Sequence, residues 1–131
     1  MPNTPEFLTV SGAPSARGPF SHAVIAGDFI FVSGQAAIDL ETDAFSFGDI
    51  RHETRLTLNC LRHILEGCGA SLSDVVKCSV FLTHPEDFDG MNEVYREFFT
   101  DTAPARTTVQ TGMVARVMRV EIDCVAYAPN G

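Results

Sequence analysis

Val75-Val76-Lys77-Cys78-Ser79-Val80-Phe81-Leu82-Thr83 alternates side-chain character with a period of two: Val76, Cys78, Val80 and Leu82 share one face, and Lys77, Ser79 and Phe81 the other. That is the pattern of a strand with one buried side. On either side of it the period changes. In Ile50 to Cys68, Leu58, Leu61, Leu65 and Cys68 recur at steps of three and four, with Thr54 and Leu56 less regular. Arg51, Glu53, Arg55, Arg62 and Glu66 supply a wet face, and Gly67 and Gly69 suit the helix end. Ser71 to Asp74 reads as a turn into the strand. Beyond the strand, Pro85 fits a first helical turn, and Phe88, Met91, Val94, Tyr95 and Phe98 follow the helical period, with Gly90 weakening the start.

Outward from this α-β-α centre the chain reads as strands. Phe7 to Val10 is a short one, followed by a loop over Ser11 to Ser15. Ala23-Val24-Ile25-Ala26 and Phe29-Ile30-Phe31-Val32-Ser33 flank the turn residues Gly27-Asp28 and predict a hairpin that ends at Gly34. Residues 39 to 49 are polar and irregular, a predicted loop. Arg106 to Thr111 and Arg119 to Tyr127 are two further strands, connected by residues 112 to 118. The order β, β, β, α, β, α, β, β has too few helices to cover both faces of a parallel sheet. It predicts an α+β fold with both helices on one face, in a single domain over residues 1–131. Strand positions on both sides carry Val, Ile, Phe and Tyr, so the opposite face is expected to meet a partner subunit.

Bulk properties narrow the function classes. The chain has 131 residues, 45% hydrophobic and 20% charged, with a formal net charge of −8. Such a charge repels phosphate backbones, and no Lys/Arg run offsets it, so nucleic acid is not an expected partner. No apolar stretch approaches the roughly 18 residues of a membrane span, and the N-terminus lacks a basic start followed by an apolar run; the expected location is the cytoplasm. Cys60, Cys68, Cys78 and Cys124 form no CxxC pair and read as reduced core residues. His22, His52, His63 and His84 show no metal-ligand spacing.

Two charged residues stand out for chemistry. Arg106, in Ala103-Pro104-Ala105-Arg106-Thr107-Thr108-Val109, opens a strand. A planar guanidinium there can hold a small carboxylate by two parallel hydrogen bonds, although an arginine after proline is more often solvated or structural. Glu121 lies in Val120-Glu121-Ile122-Asp123-Cys124-Val125-Ala126. It is either the wet side of a sheet or a half-buried acid whose pKa is raised unless a cation such as Arg106 opposes the shift. A hairpin of the last two strands would set Arg106 and Glu121 side by side, in a register the sequence does not specify. Ser33-Gly34-Gln35 is a plain turn or a place where a ligand approaches backbone N–H groups. Asn92 is polar beside an apolar stripe, either exposed or amide-bonded to a ligand or loop, and Thr107 and Thr108 are ordinary strand residues. There is no Ser-His-Asp spacing, phosphate-binding glycine loop or HExxH, so an enzyme here would work without a cofactor.

Together these stretches resemble the Rid (YjgF) family of reactive-intermediate imine/enamine deaminases. Gly18-Pro19-Phe20-Ser21-His22-Ala23 is similar to the family's GPYSQA segment. Val32-Ser33-Gly34-Gln35, Val75 to Leu82, Asn92 to Phe99, Pro104 to Val109 and Val120 to Ala126 follow in family order. The resemblance covers about Arg17 to Ala128. It implies a chorismate-mutase-like fold: a six-stranded, mostly antiparallel sheet with two helices on one face, assembled as a homotrimer whose sheets form a central barrel, with active sites in the clefts between subunits. It implies hydrolytic deamination of small 2-imino or 2-enamino acids to 2-oxo acids and ammonia, clearing reactive products of pyridoxal-phosphate enzymes. By the same resemblance Arg106 clamps the substrate carboxylate, Glu121 positions the attacking water, and Phe20, Ser33, Gly34, Asn92 and Thr108 line the pocket.

Three positions depart from the family pattern. Phe20 stands where many deaminases have Tyr, and so lacks a hydroxyl. Thr108 replaces the Cys of several members, which rules out sulfur chemistry there. His22 replaces a common Gln; it is either a titrating group near the cleft or, the preferred reading, an exposed loop histidine. The departures keep open a deaminase for a particular catabolic enamine, of 2-aminomuconate or 3-aminoacrylate type, and a non-enzymatic trimer that binds small carboxylates. Relatives labelled endoribonucleases or translation inhibitors suggest RNA chemistry, against which the charge of this chain argues.

Overall fold

The longest strands pair into one sheet because each carries a buried apolar row at alternate positions. In the computed structural model, which describes residues 4–115 and 117–129, the sheet strands are β1 (Glu6–Leu8), β2 (Ala23–Ala26), β3 (Phe29–Gln35), β6 (Val75–Leu82), β7 (Ala105–Gln110) and β8 (Val120–Tyr127). They lie in the order β1-β2-β3-β8-β6-β7. A separate small hairpin pairs β4 (Ile38–Asp39) with β5 (Ala44–Phe45), inside the stretch predicted to be loop. Met1–Asn3, part of the leader reading, and Arg116 in the predicted connection lie outside the described residues.

The predicted hairpin of β2 and β3 forms, with Gly27 at φ 59° supplying the left-handed turn. Helix α1 (Ile50–Gly67) begins at Asp49, whose Oδ1 accepts from the His52 N–H (2.9 Å). It ends at Gly69, whose φ of 83° lets the Ala70 N–H reach back to the Leu65 carbonyl (2.9 Å). Helix α2 (Phe88–Phe98) follows a 3-10 turn over Pro85–Asp87. Gly90, a poor helix former, is needed for contact: a Cβ there would sit 2.6 Å from Ile50 Cγ2 on α1. α1 crosses β3 and β8 and packs on α2. The core therefore joins Leu58, Leu61, Ile64 and Leu65 of α1 to Val120, Ile122 and Cys124 of β8, with Met91 and Val94 of α2 alongside.

Five sequence expectations change. The last two strands are not a hairpin: β8 lies between β3 and β6, antiparallel to both, while β7 pairs with β6 in parallel. The sheet is thus mixed, with one parallel pairing. Val76 is exposed and Val75 buried, because the ladder to β8 shifts register between Val75 and Lys77 and turns Val76 outward. β3 runs past Ser33 to Gln35, with a second irregularity between Val32 and Gln35. Phe88 fits the helical period but is exposed.

The fifth change concerns Glu53, assigned to the wet face of α1 but fully buried. Its Oε1 accepts from the Arg119 N–H (2.8 Å) and its Oε2 from the Gly48 N–H (3.1 Å). The Arg119 guanidinium in turn donates to the Gly48 carbonyl (3.1 Å) and to Asp87 (3.0 Å). A buried carboxylate is tolerable when its oxygens are paired in this way.

The sheet face away from the helices carries open apolar side chains beside Lys77, Thr107, Glu121 and Asp123. Phe7, Phe29, Phe31, Val109 and Tyr127 are exposed on it, with the Phe29 and Tyr127 rings 5.2 Å apart. Removing the buried Glu53 carboxylate takes the acceptor away from the part-buried Gly48 and Arg119 N–H groups. Glu53→Ala is expected to cost about 3 kcal/mol, read as a lowered urea midpoint at fixed protein concentration. Glu66→Ala, on the exposed side of the same helix, leaves the midpoint in place.

Candidate active site

The irregularity in β3 frees Ser33 and Gly34 from the ladder to β8. Bulges re-aim backbone in this way beside functional sites. Gly34 lies against Glu121 so closely that a Cβ would meet the carboxylate, at 3.0 Å from its Cδ. Glycine is required here by space. Ser33 donates its hydroxyl to the Ser21 carbonyl (2.6 Å), so toward a ligand it offers an acceptor. Phe20, half exposed, completes a cleft with Ser33, Gly34 and Glu121.

Glu121 is half-buried and accepts no hydrogen bond from the described residues. Burial pushes its carboxyl above the usual range, and Asp123, two positions on and on the same face, pushes it further. The expectation that Arg106 offsets this does not hold within one chain. In register, Glu121 stands opposite Phe81 and Arg106 opposite Cys78. Those positions point to opposite faces, so β6 and the thickness of the sheet separate the two groups.

Arg106 makes a second, separate constellation. It points to the helix side, where its guanidinium lies over the Tyr95 ring at 4.8 Å and the Phe88 ring at 5.7 Å. These contacts orient it without neutralising it. Among the described residues it has no carboxylate partner. Asn92 and Arg106 line one shallow groove with Pro104 and Tyr95. Thr108 lies on the same face of β7, and its hydroxyl is buried without a partner. The Tyr95 hydroxyl is likewise buried and unpaired, and burial pushes its pKa up; the neighbouring Cys78 thiol is also raised by burial.

Of the predicted site residues, then, Phe20, Ser33, Gly34 and Glu121 come together on one side, and Asn92, Arg106 and Thr108 on the other. His22 is a correction. It is buried: its Nδ1 accepts from the Val10 N–H (2.8 Å), which leaves Nε2–H to donate to the Pro14 carbonyl (2.6 Å). It ties down the N-terminal loop. The sequence reading missed Tyr95 and Phe88 as the shelf under Arg106, and Asp123 as a charge on Glu121. The i to i+2 spacing of Glu121 and Asp123 in a strand was the available signal for the latter.

Known proteins share the fold that carries these residues. The family described as Endoribonuclease L-PSP matches residues 10–128. A RutC family protein of Pyrococcus horikoshii is 41% identical over 122 residues, covering 93% of this chain and 97% of that one. A 2-iminobutanoate/2-iminopropanoate deaminase of Dermatophagoides farinae is 36% identical over 113 residues, covering 86% and 88%. The crystal structure of E. coli TdcF with bound serine superposes with a TM-score of 0.86 at 32% identity, covering 93% of this chain and 98% of that chain. The mixed six-stranded sheet under two helices is thus the fold of its relatives, and the chain belongs to the Rid (YjgF) family, the family of endoribonuclease L-PSP.

Proposed function

We propose that the protein is a cofactor-free deaminase that hydrolyses small 2-imino and 2-enamino acids, working as a homotrimer whose sites join two subunits. The carrying observation is the division of the charges. Among the described residues, one chain presents a guanidinium without a carboxylate partner on its helix side and a carboxyl of raised pKa without a hydrogen-bond partner on its sheet side. Sheet-to-sheet packing through the exposed Phe7, Phe29, Phe31, Val109 and Tyr127 face would bury that apolar surface. It would also set Arg106 of one copy near Glu121 of the next, as the family arrangement implies.

In such a joined site Arg106 holds the substrate carboxylate by a bidentate pair, with Asn92 beside it. Glu121 takes a proton from water as the oxygen bonds to the imine carbon, and the C=N π electrons move to nitrogen. The carboxyl returns that proton to nitrogen, giving the carbinolamine; it then takes the hydroxyl proton and passes it to nitrogen as the C=O forms and the C–N bond breaks, so a 2-oxo acid and ammonia leave. A raised pKa suits a group that must both take and give a proton near neutrality. The relative named a 2-iminobutanoate/2-iminopropanoate deaminase supports this reaction class. Phe20, which has no hydroxyl to order a water, favours a second reading: binding of small carboxylates without turnover.

A threonine dehydratase generating 2-iminobutanoate in situ, with semicarbazide trapping what remains, tests the activity. Wild type is expected to reduce the trapped imine. Arg106→Ala should lower kcat/KM by roughly 10²-fold, and Glu121→Gln should lower kcat by about 10²–10⁴-fold. Tight binding of 2-oxobutanoate without turnover would support the second reading instead.

Two further outcomes follow from the charge arrangement. Co-expressed Arg106→Ala and Glu121→Gln chains are expected to recover activity that neither variant has alone, because mixed trimers contain sites with both native groups; no recovery would place both groups in one subunit's site. In the pH profile, kcat/KM rises as Glu121 ionises, at a pH above the ordinary glutamate range. Asp123→Asn removes a negative neighbour, lowers that pKa, and is expected to move the rising limb to lower pH.

A further inference from the structure

The cleft at Glu121 does not close behind it. Phe20, Gly34 and Glu121 also border a chamber of about 230 Å³ that extends toward the N-terminal loop and the β4–β5 hairpin. Its walls include Phe20, Ala36, Ile38, Phe45 and Met118. The polar side chains on its border are committed elsewhere. Both His22 ring nitrogens are used by backbone groups, and the Ser15 hydroxyl is bonded to Asp43. The Gln35 amide N–H donates to the Ser33 carbonyl (3.1 Å). Arg17 donates to the Ser15 and Asp43 carbonyls (3.0 and 2.7 Å) and covers the Phe45 ring at 5.1 Å. Among the described residues, Glu121 is the ionisable group left facing the chamber without an internal partner.

We infer that this chamber is a side-chain pocket, and that the 2-imino acids this protein prefers carry a bulky apolar side chain, of leucine size or larger. The inference rests on the proposed deaminase reading and names its substrate class. Apolar walls with one convergent polar group select for shape and apolar area. An imine carbon held at Glu121, with its carboxylate drawn away to Arg106, leaves the substituent beyond C3 to enter the chamber. A methyl or ethyl group would leave most of it unfilled. A polar side chain would lose its hydration against mostly apolar walls, with the Gln35 amide oxygen and Glu121 as its few partners. Phe20 contributes here as a wall, where a tyrosine would bring a hydroxyl.

The test uses an L-amino-acid oxidase with catalase to generate the imino acids of L-leucine and L-alanine, with semicarbazide trapping. The leucine-derived imine is expected to be hydrolysed with a kcat/KM about tenfold or more above the alanine-derived one. Ala36→Leu, which fills the chamber, should reverse that ratio. Phe45→Ala, which removes an exposed wall with little demand on folding, should lower it through a raised KM for the leucine-derived imine. Acceleration of the alanine-derived imine with equal or lower activity on the leucine-derived one would overturn the side-chain pocket and leave the deaminase reading standing. Acceleration of neither imine would overturn both.

Discussion

The buried carboxylate of Glu53 is the constraint on which the arrangement depends. Helix α1 could slide along the sheet on apolar contacts alone, because such contacts carry little direction. Glu53 removes that freedom. It accepts the backbone N–H groups of Gly48, just before α1, and of Arg119, just before β8. Arg119 then bonds to the Gly48 carbonyl and to Asp87, at the start of α2. Both helices and the central strand are thereby locked at one corner, and Glu121, two residues beyond Arg119, takes its place at the cleft.

The sheet also separates charges. Were Arg106 and Glu121 neighbours in one chain, the guanidinium would lower the pKa of the carboxyl and occupy it. On opposite faces with β6 between them, each keeps its capacity to act on a third group. Stacking on Tyr95 and Phe88 holds the guanidinium in place without a counter-ion. Burial and Asp123 hold the carboxyl toward its protonated form. In a chain of net charge −8, a local uncompensated arginine is what makes one groove attractive to an anion.

Backbone detail shapes the carboxyl side. The break in the β3 ladder presents Ser33 and Gly34, and the missing Cβ of Gly34 is the space Glu121 occupies. His22 fastens the loop that carries Phe20 by bonding to Val10 and Pro14, so a residue without catalytic contacts still sets a wall of the cleft. On the other side the Thr108 hydroxyl is buried without a partner, and the Tyr95 hydroxyl is buried against the Cys78 thiol.

Most elements were legible in the sequence because their signals are local. The alternation in Val75 to Leu82, the leucine spacing in α1 and the turn at Gly27-Asp28 report short-range periodicity and turn chemistry. The family resemblance likewise rests on contiguous motifs, including those that hold Arg106 and Glu121. What the sequence could not supply was relational. That β8 inserts between β3 and β6 is decided by long-range pairing, and it placed Arg106 and Glu121, expected as neighbours, on opposite faces of the sheet. That Glu53 and His22 are buried depends on backbone donors and acceptors distant in the chain, Arg119 for one and Val10 and Pro14 for the other. Composition assigned both to the surface because a charged or titrating side chain is costly to bury; tertiary structure buried them because it brought the partners that make burial tolerable.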